Sequence, residues 1–315
     1  MCGESSLQGR FRHTFGQPRA PFATHPLEQV NKVLDSVTEI TCCGGVGSRR
    51  YRRSMRILLT NDDGITAPGI DALHTAIASL GEVVVIAPAG VQSAMSHGIT
   101  FHRPLMVRKM QVNPRLSGYA IEGTPADCVK IGLRTMWGEL FGPGSRPDLV
   151  ISGMNSGANV GINVIYSGTV AAAIEAAFLG VPAIAVSLHM GDFSKTAWSR
   201  AAHFARATID RLVAHPLDAH RVLSINIPVT QSDSDPMPPV RVVRMNTAAG
   251  IDRHERRESP DGRPYYWPCG NGMEFMHTAQ GSDVEALMDR QITVTPLSYD
   301  LTDEGSIATW AARLS

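Results

Sequence analysis

The sequence predicts an α/β fold: a doubly wound, mostly parallel, Rossmann-like sheet with a C-terminal β-rich appendage. The first observation is a set of short, continuously apolar runs, typical of strands buried in a parallel sheet. These runs occupy residues 56–60, 83–87, 149–152, 183–187 and 222–227. The second is that helical patterns separate several of the runs, as βαβ units require. The third is a change after Pro228, where a polar, proline-containing stretch (230–239) precedes further strand-like runs.

Composition divides the chain into three segments. Residues 1–54 lack a clear apolar periodicity over most of their length and end in the basic run SRRYRRS, so we expect a poorly ordered N-terminal extension. The alternatives are a basic arm that binds nucleic acid and a biological start at Met55, where the α/β pattern begins. Residues 55–228 form the predicted α/β core, and residues 229–315 form the β-rich appendage and the C-terminal segment.

Spacing and capping residues place the other elements. Pro68 opens a helix that runs to about residue 80, since Ile70, Leu73 and Ile77 fall on one face. Further helices are predicted at 29–37, from Pro125 (capped by Thr124), at 169–179, at 198–213 and at 303–314, and late strands at 240–245, 265–267 and 292–296. Residues 270–290 show no regular pattern.

Bulk composition excludes several classes of protein. The 315 residues carry a formal net charge of zero, which gives no general attraction to nucleic acids or membrane surfaces. No apolar run is long enough to span a bilayer. The five cysteines are odd in number and irregularly spaced, which argues against a disulfide framework and for a reducing compartment. We therefore expect a cytoplasmic protein without a stable nucleic-acid or membrane partner.

An acidic turn follows the first strand directly. Asp62 and Asp63 stand where ligands usually bind an open α/β sheet, beyond the carboxyl end of a strand. Two adjacent carboxylates repel each other unless a positive charge lies between them, and a hard divalent cation is the usual partner. An Asn-Asp-Asp-Gly surface turn without any ligand is the alternative, because these residues favour turns.

Two more loops are expected at the same edge of the sheet. Together the loops at 61–66, 88–100 and 152–169 offer only oxygen donors, from the side chains of Asp62, Asp63, Ser93 and Asn155. This set suits Mg²⁺ or Mn²⁺, with waters completing an octahedral shell. It does not suit structural zinc, which prefers cysteine and histidine.

A turn formed by Ser167, Gly168 and Thr169 opens the next helix, whose N–H groups and dipole can bind an anion. A plain capping turn is the alternative. An anion site beside a cation is what phosphomonoester hydrolysis requires, with a metal-bound water attacking phosphorus at neutral pH. Asp62 and Asp63 are then the catalytic pair, and either carboxylate is placed to take the proton of that water.

The combined motifs closely resemble those of the SurE survival-protein family of metal-dependent nucleotidases. They are RILLTNDDGITAPGI, the QS of the 88–100 loop, ISGMNSGANVG and YSGTVAAAIEAAFLGVPAIAVS, and the resemblance runs from Met55 to near the C-terminus. It implies a 5′-nucleotidase that releases phosphate from nucleoside 5′- and 3′-monophosphates, and in some members from short polyphosphate. The implied cofactor is one divalent cation, Mg²⁺ or Mn²⁺, per subunit.

The resemblance also carries over site residues and assembly. The metal ligands of the family fall on Asp62, Asp63, Ser93 and Asn155, and its phosphate-contacting turn on Ser167, Gly168 and Thr169. The implied assembly is a homodimer or homotetramer whose C-terminal segment exchanges between subunits. This sequence departs from the family where Ala89, Gly90 and Val91 follow Pro88, and where Ala94 replaces the usual glycine. Both departures lie beside Ser93.

Two rival functions remain open from the sequence. An Asp-nucleophile phosphatase would carry D-x-D after a strand, but here the acids are adjacent and Gly64 takes the place of the second acid. A non-catalytic nucleotide-binding module on a doubly wound sheet is the other rival, although no G-x-G-x-x-G follows the first strand. Glu175, inside an apolar helix, is either a partnered buried carboxylate or a group that supports the metal ligands.

Overall fold

A computed structural model describes residues 54–270 and 272–315 of the chain. Within these residues, nine strands form one sheet and two form a separate hairpin. The strands are β1 (Met55–Thr60), β2 (Gly81–Pro88), β3 (Val107–Gln111), β4 (Ser117–Ile121), β5 (Leu149–Ser156), β6 (Ala183–Leu188), β7 (Val222–Ile227), β8 (Val240–Val242), β9 (Arg253–Glu258), β10 (Pro264–Cys269) and β11 (Ile292–Leu297). The helices are α1 (Pro68–Ile77), α2 (Pro125–Ile131), α3 (Trp137–Phe141), α4 (Asn163–Tyr166), α5 (Gly168–Phe178), α6 (Trp198–Leu212), α7 (Asp283–Met288) and α8 (Glu304–Leu314). The helix predicted at 29–37 lies outside the described residues.

The strand order of the sheet is β3-β4-β2-β1-β5-β6-β7-β11-β8. The six strands from β4 to β7 in this order run parallel to their neighbours. After β1, the chain forms β2 on one side of β1 and later forms β5, β6 and β7 on the other side. The order therefore reverses between β1 and β5, which is where open α/β sheets bind ligands. The predicted doubly wound, mostly parallel sheet is confirmed.

Helices cover both faces of the sheet. On one face α1 and α6 pack against the alternate β1 residues Ile57 and Leu59. On the other face α2 and α5 pack against Leu58. Successive side chains of a strand point to opposite faces, so the continuous apolar run of β1 serves both layers. Among the described helices, none is both long and apolar enough to cross a membrane.

The β-rich C-terminal region is only partly separate from the sheet. Strand β11 pairs antiparallel with β7, and β8 pairs parallel with β11, so both strands extend the main sheet. Ile292 and Val294 of β11 are buried in the main core, which accounts for this attachment. The hairpin β9–β10 pairs only with itself among the described residues. Helix α7 also lies within the stretch that was predicted to be irregular.

Some elements differ from the sequence prediction. The sequence does not predict β3 and β4. Strand β3 is an exposed edge strand that carries Arg108 and Lys109, and β4 (SGYAI) begins with serine and glycine, so neither forms a continuous apolar run. Strand β5 was predicted to stop at Ser152, where a glycine interrupts the pattern. It continues past an irregularity in its pairing with β6, so Asn155 lies at the end of the strand and not in a loop.

The start of α2 is held by a buried carboxylate. Thr124 caps the helix as predicted: its Oγ1 accepts from the Asp127 N–H at 3.1 Å, while the Asp127 carboxylate accepts from the Thr124 N–H at 3.0 Å. Thr100 donates to the same carboxylate through its N–H at 2.9 Å and its hydroxyl at 2.6 Å. Burial raises the pKa of Asp127, but the hydrogen bonds from Thr100 and Thr124 outweigh it and hold the pKa below its ordinary value.

We expect Asp127→Ala to lower the free energy of unfolding by about 2 kcal/mol at pH 7, because a helix cap and the bonds to Thr100 are lost. The folded pKa lies below the ordinary value of 3.8, so the stabilisation is complete above that pH and is lost as the pH falls through the folded pKa. Urea unfolding at several pH values measures this, and the difference from wild type should shrink in acid. Glu122→Ala, an exposed charge change beside the same cap, is the control. Equal stability of Asp127→Ala and wild type at pH 7 would contradict the prediction.

Candidate active site

A cavity of about 580 Å³ is formed by loops and strand ends at the carboxyl edge of β1 and β5. Its lining includes Asp62, Asp63, Ser93 and Asn155, the four side chains predicted to share a cation. Ser167, from the turn before α5, lines the same cavity. Three segments far apart in sequence therefore bring these side chains to one place.

Hydrogen bonds close the acidic turn and join it to the loop that follows β2. The Asn61 side-chain amide donates to the Gly64 carbonyl at 2.9 Å and closes the acidic turn. The Ile65 N–H donates to the Pro88 carbonyl, and the Gln92 N–H donates to the Asp62 carbonyl, at 2.9 and 2.8 Å. The last bond joins the loop that bears Ser93 directly to the acidic turn.

Asp62 is an almost fully buried carboxylate, with 5% of its surface exposed. Thr169 donates a hydrogen bond from Oγ1 to Oδ1 of Asp62. The pKa of Asp62 is raised to about 6, chiefly by burial and also by the charge of Asp63, against the hydrogen bond from Thr169, which lowers it. Burial and a neighbouring like charge both disfavour the ionised form of a carboxylate. Asp62 therefore needs a positive partner in order to be ionised.

Two further hydrogen bonds orient the side chains of Asp63 and Asn155. The Ser156 N–H donates to Oδ2 of Asp63 at 2.8 Å. The Asn155 side-chain NH₂ donates to the Gly157 carbonyl at 2.7 Å, so the other atom of that amide, the carbonyl oxygen Oδ1, is the one available as a ligand. The end of β5 thus orients one carboxylate and one amide of the cavity.

The donor set fits a hard divalent cation. Two carboxylates, a hydroxyl and an amide carbonyl are oxygen ligands of the kind that Mg²⁺ and Mn²⁺ take, with waters completing the shell. In the described part of the chain, no group of three or more His, Cys, Asp and Glu side chains could hold a metal ion. A cation at this cavity therefore depends on Ser93 and Asn155 as well as on the acidic pair.

The three residues of the turn at 167–169 have different surroundings. Ser167 lines the cavity, and its Oγ also caps α5 by accepting from the Val170 N–H at 3.1 Å. Thr169 is fully buried and holds Asp62, so a phosphate contact by Thr169 stays a prediction. A Cβ at Gly168 would lie 2.9 Å from Cβ of Asp62 and 3.1 Å from Cγ of Pro125. Glycine at this position therefore lets α5 approach the acidic turn.

Several cavity residues were not singled out from the sequence. They are Ser156, Asn159, Asn163, Tyr166, His189, Met190, Met273, Glu274 and Met288, among others. His189 directly follows β6, so the rule about the carboxyl ends of parallel strands could have found it. Burial lowers its pKa, which favours a neutral imidazole. Glu274 comes from the C-terminal region, where the sequence shows no pattern that points to this cavity.

Comparison with known proteins gives a consistent result. A family model described as Survival protein SurE matches residues 57–250. A Carboxydothermus hydrogenoformans protein named 5′-nucleotidase SurE is 40% identical over 266 residues, covering 82% of this chain and 97% of that protein. A Rhodopirellula baltica protein of the same name is 43% identical over 248 residues, covering 79% and 94%. The crystal structure of a SurE protein from Aquifex aeolicus matches with a TM-score of 0.70 and 34% identity, covering 82% of this chain and 100% of that one.

The matched region contains the acidic turn, the other cavity donors and the start of α5. It spans more than half of the chain, and the relatives align with this sequence over most of their own length. The fold, the arrangement of the cavity and these matches agree: the chain belongs to the SurE family.

Proposed function

We propose that this chain is a metal-dependent 5′-nucleotidase, which hydrolyses nucleoside 5′-monophosphates to nucleoside and inorganic phosphate. The observation that carries the proposal is the meeting of Asp62, Asp63, Ser93, Asn155 and Ser167 in one cavity at the switch point of the sheet. The names of the relatives, 5′-nucleotidase SurE, support the same activity.

The residues assigned to one cation per subunit, Mg²⁺ or Mn²⁺, are Asp62, Asp63, Ser93 and Asn155. When bound, the cation supplies charge neutralisation at the phosphoryl oxygens and a lowered pKa of water. Asp62 and Asp63 are the catalytic carboxylates and either one accepts the proton released by water. Thr169 and the Ser156 N–H fix the directions of the two carboxylates.

The phosphate is assigned to the start of α5. Ser167 lines the cavity and can donate from its hydroxyl, because its Oγ uses a lone pair to accept from Val170. Gly168 keeps this turn close to Asp62. An anion at a helix start is also favoured by the helix dipole. The phosphoester is thereby held between the acidic pair and the helix.

The rival functions are not favoured. An aspartyl-phosphate mechanism is disfavoured because the two acids are adjacent, with Gly64 in the place of the second acid of D-x-D, and because only 5% of the surface of Asp62 is exposed. A non-catalytic binding module does not account for relatives that are named as nucleotidases. Hydrolysis of 3′-monophosphates and of short polyphosphate remains a prediction.

We further infer a homodimer or homotetramer in which the C-terminal segment contacts a second copy of the chain. Helix α8 carries Ile307, Trp310 and Leu314 at helical spacing, and these side chains are 51%, 56% and 83% exposed. Apolar side chains aligned on one exposed helix face are typical of an interaction surface. A cytoplasmic location stays a prediction.

We expect phosphate release from nucleoside 5′-monophosphates in Mn²⁺ or Mg²⁺, and none above background in EDTA. Removing the cation leaves the acidic pair without a positive partner and the water without activation. A panel of 5′- and 3′-monophosphates and short polyphosphate, assayed for inorganic phosphate, measures this. Full activity in the chelator would sink the proposed function.

We expect Gly168→Ala to lower turnover about tenfold or more, because the new methyl group displaces Asp62 from the acidic turn. Gly138→Ala is the matched control: it is another helical glycine, and a Cβ there meets nothing within 4 Å. Steady-state kinetics and a melting curve of each variant separate a site effect from unfolding. Equal kinetics for both variants would contradict the packing argument.

We expect a solution mass of two or four times the 33.9 kDa chain, because the apolar face of α8 needs a covering surface. Trp310→Asp should shift the mass towards the monomer. Thr309→Asp adds the same charge on the opposite side of the helix and should not. Sedimentation velocity measures both, and a monomeric wild-type protein would refute the assembly.

A further inference from the structure

The loop at residues 88–100 bears Ser93 and has an unusual backbone conformation. Ala94 and Ser96 have φ values of +55° and +51°, in the left-handed region that non-glycine residues rarely adopt. Such a conformation persists only when surrounding contacts hold it. The contacts that hold this loop therefore decide where the Ser93 hydroxyl lies.

Two of the hydrogen bonds that hold this loop are made to the residues just before α5. Ser96 donates from its N–H to the Tyr166 carbonyl at 3.1 Å and from its hydroxyl to the Ile165 carbonyl at 2.8 Å. These carbonyls lie one and two residues before Ser167. The loop that bears Ser93 is thus fastened beside the proposed phosphate turn.

The next residue of the loop reaches a buried carboxylate on α5. His97 Nε2 lies 2.9 Å from Oε2 of Glu175 and donates to it, because a carboxylate only accepts. The Glu175 side chain is 5% exposed, whereas that of His97 is 37% exposed. Lys130 Nζ lies 3.3 Å from the other oxygen, Oε1, as an ion pair. Burial raises the pKa of Glu175, but His97 and Lys130 outweigh it and hold the pKa below its ordinary value.

We propose that His97 and Glu175 are positioning residues, which lock the loop bearing Ser93 to α5 and so keep the cation donors in register with the phosphate turn. The inference rests on the proposed function. Neither residue lines the cavity, so they act through the loop and not by touching the substrate. Glu175 lies about 12 Å along α5 from Ser167, at 1.5 Å per residue, and the rigid helix connects the two.

A buried ion pair that only stabilises the fold would show the same contacts, so the test compares the two partners of Glu175. Lys130→Met removes the ion pair but leaves the bond from His97 to Glu175. His97→Ala removes the bond from the loop to Glu175, while the Ser96 bonds and the ion pair of Lys130 with Glu175 remain. His97→Gln keeps a donor near the position of Nε2. Because His97 lies in a loop and its side chain is 37% exposed, we expect His97→Ala to fold. Near-UV circular dichroism checks the folding of each variant.

The experiment titrates the full chain with Mn²⁺ alone and measures its affinity by calorimetry. We expect His97→Ala to weaken binding about tenfold, in line with the usual effect of groups that orient metal ligands. We expect His97→Gln and Lys130→Met to bind within about threefold of wild type. Asp63→Asn is included because it removes a proposed ligand, and it should weaken binding at least about tenfold.

The outcomes separate this inference from the function on which it rests. The positioning role is supported if His97→Ala binds Mn²⁺ weakly while His97→Gln and Lys130→Met both bind it about as tightly as wild type. Wild-type affinity of His97→Ala beside weak binding by Asp63→Asn overturns the positioning role and leaves the proposed function standing. Equal losses in His97→Ala and Lys130→Met overturn it in favour of a structural ion pair. Wild-type affinity of Asp63→Asn overturns the cation assignment itself.

Discussion

Two adjacent carboxylates at the end of a buried strand impose the main constraint on this structure. Asp62 is nearly inaccessible, its pKa is raised to about 6 by burial, and Asp63 adds a like charge beside it. Such a pair is costly to keep ionised unless neighbouring donors and a cation compensate. Two of the surrounding segments compensate directly, because Thr169 donates to Asp62 and the Ser156 N–H donates to Asp63. Ser93 and Asn155 line the same cavity and add oxygen ligands for a cation.

Helix α5 makes the most direct contact with this acidic pair, through Thr169. Its first turn supplies the hydroxyl of Thr169 to Asp62, leaves Ser167 on the cavity, and needs Gly168 to come close enough for both. Further along, Glu175 binds the loop that carries Ser93 through His97. One helix therefore touches the acidic turn, the proposed phosphate site and the second loop, so their relative positions depend on a single rigid element.

The C-terminal region contributes both to the sheet and to the surface. Strands β8 and β11 extend the main sheet, and Glu274 and Met288 reach the cavity from this part of the chain. The apolar face of α8 is exposed in a single chain, and we assign it to a second copy. The edge of the sheet that carries the cavity and the proposed assembly surface thus both involve the C-terminal region, which joins the core after β7.

The sequence by itself determined five of the parallel strands, their parallel direction and the capped start of α2, because apolar runs, helical spacing and Thr124-Pro125 are local patterns. It also indicated the oxygen donors, since strand ends at one edge of a parallel sheet must lie close together. Only the tertiary structure decided that β11 pairs with β7, that Thr169 donates a hydrogen bond to Asp62, and that His97 contacts Glu175. These contacts join residues far apart in the chain, and no local pattern encodes a long-range partner: it depends on how whole layers pack.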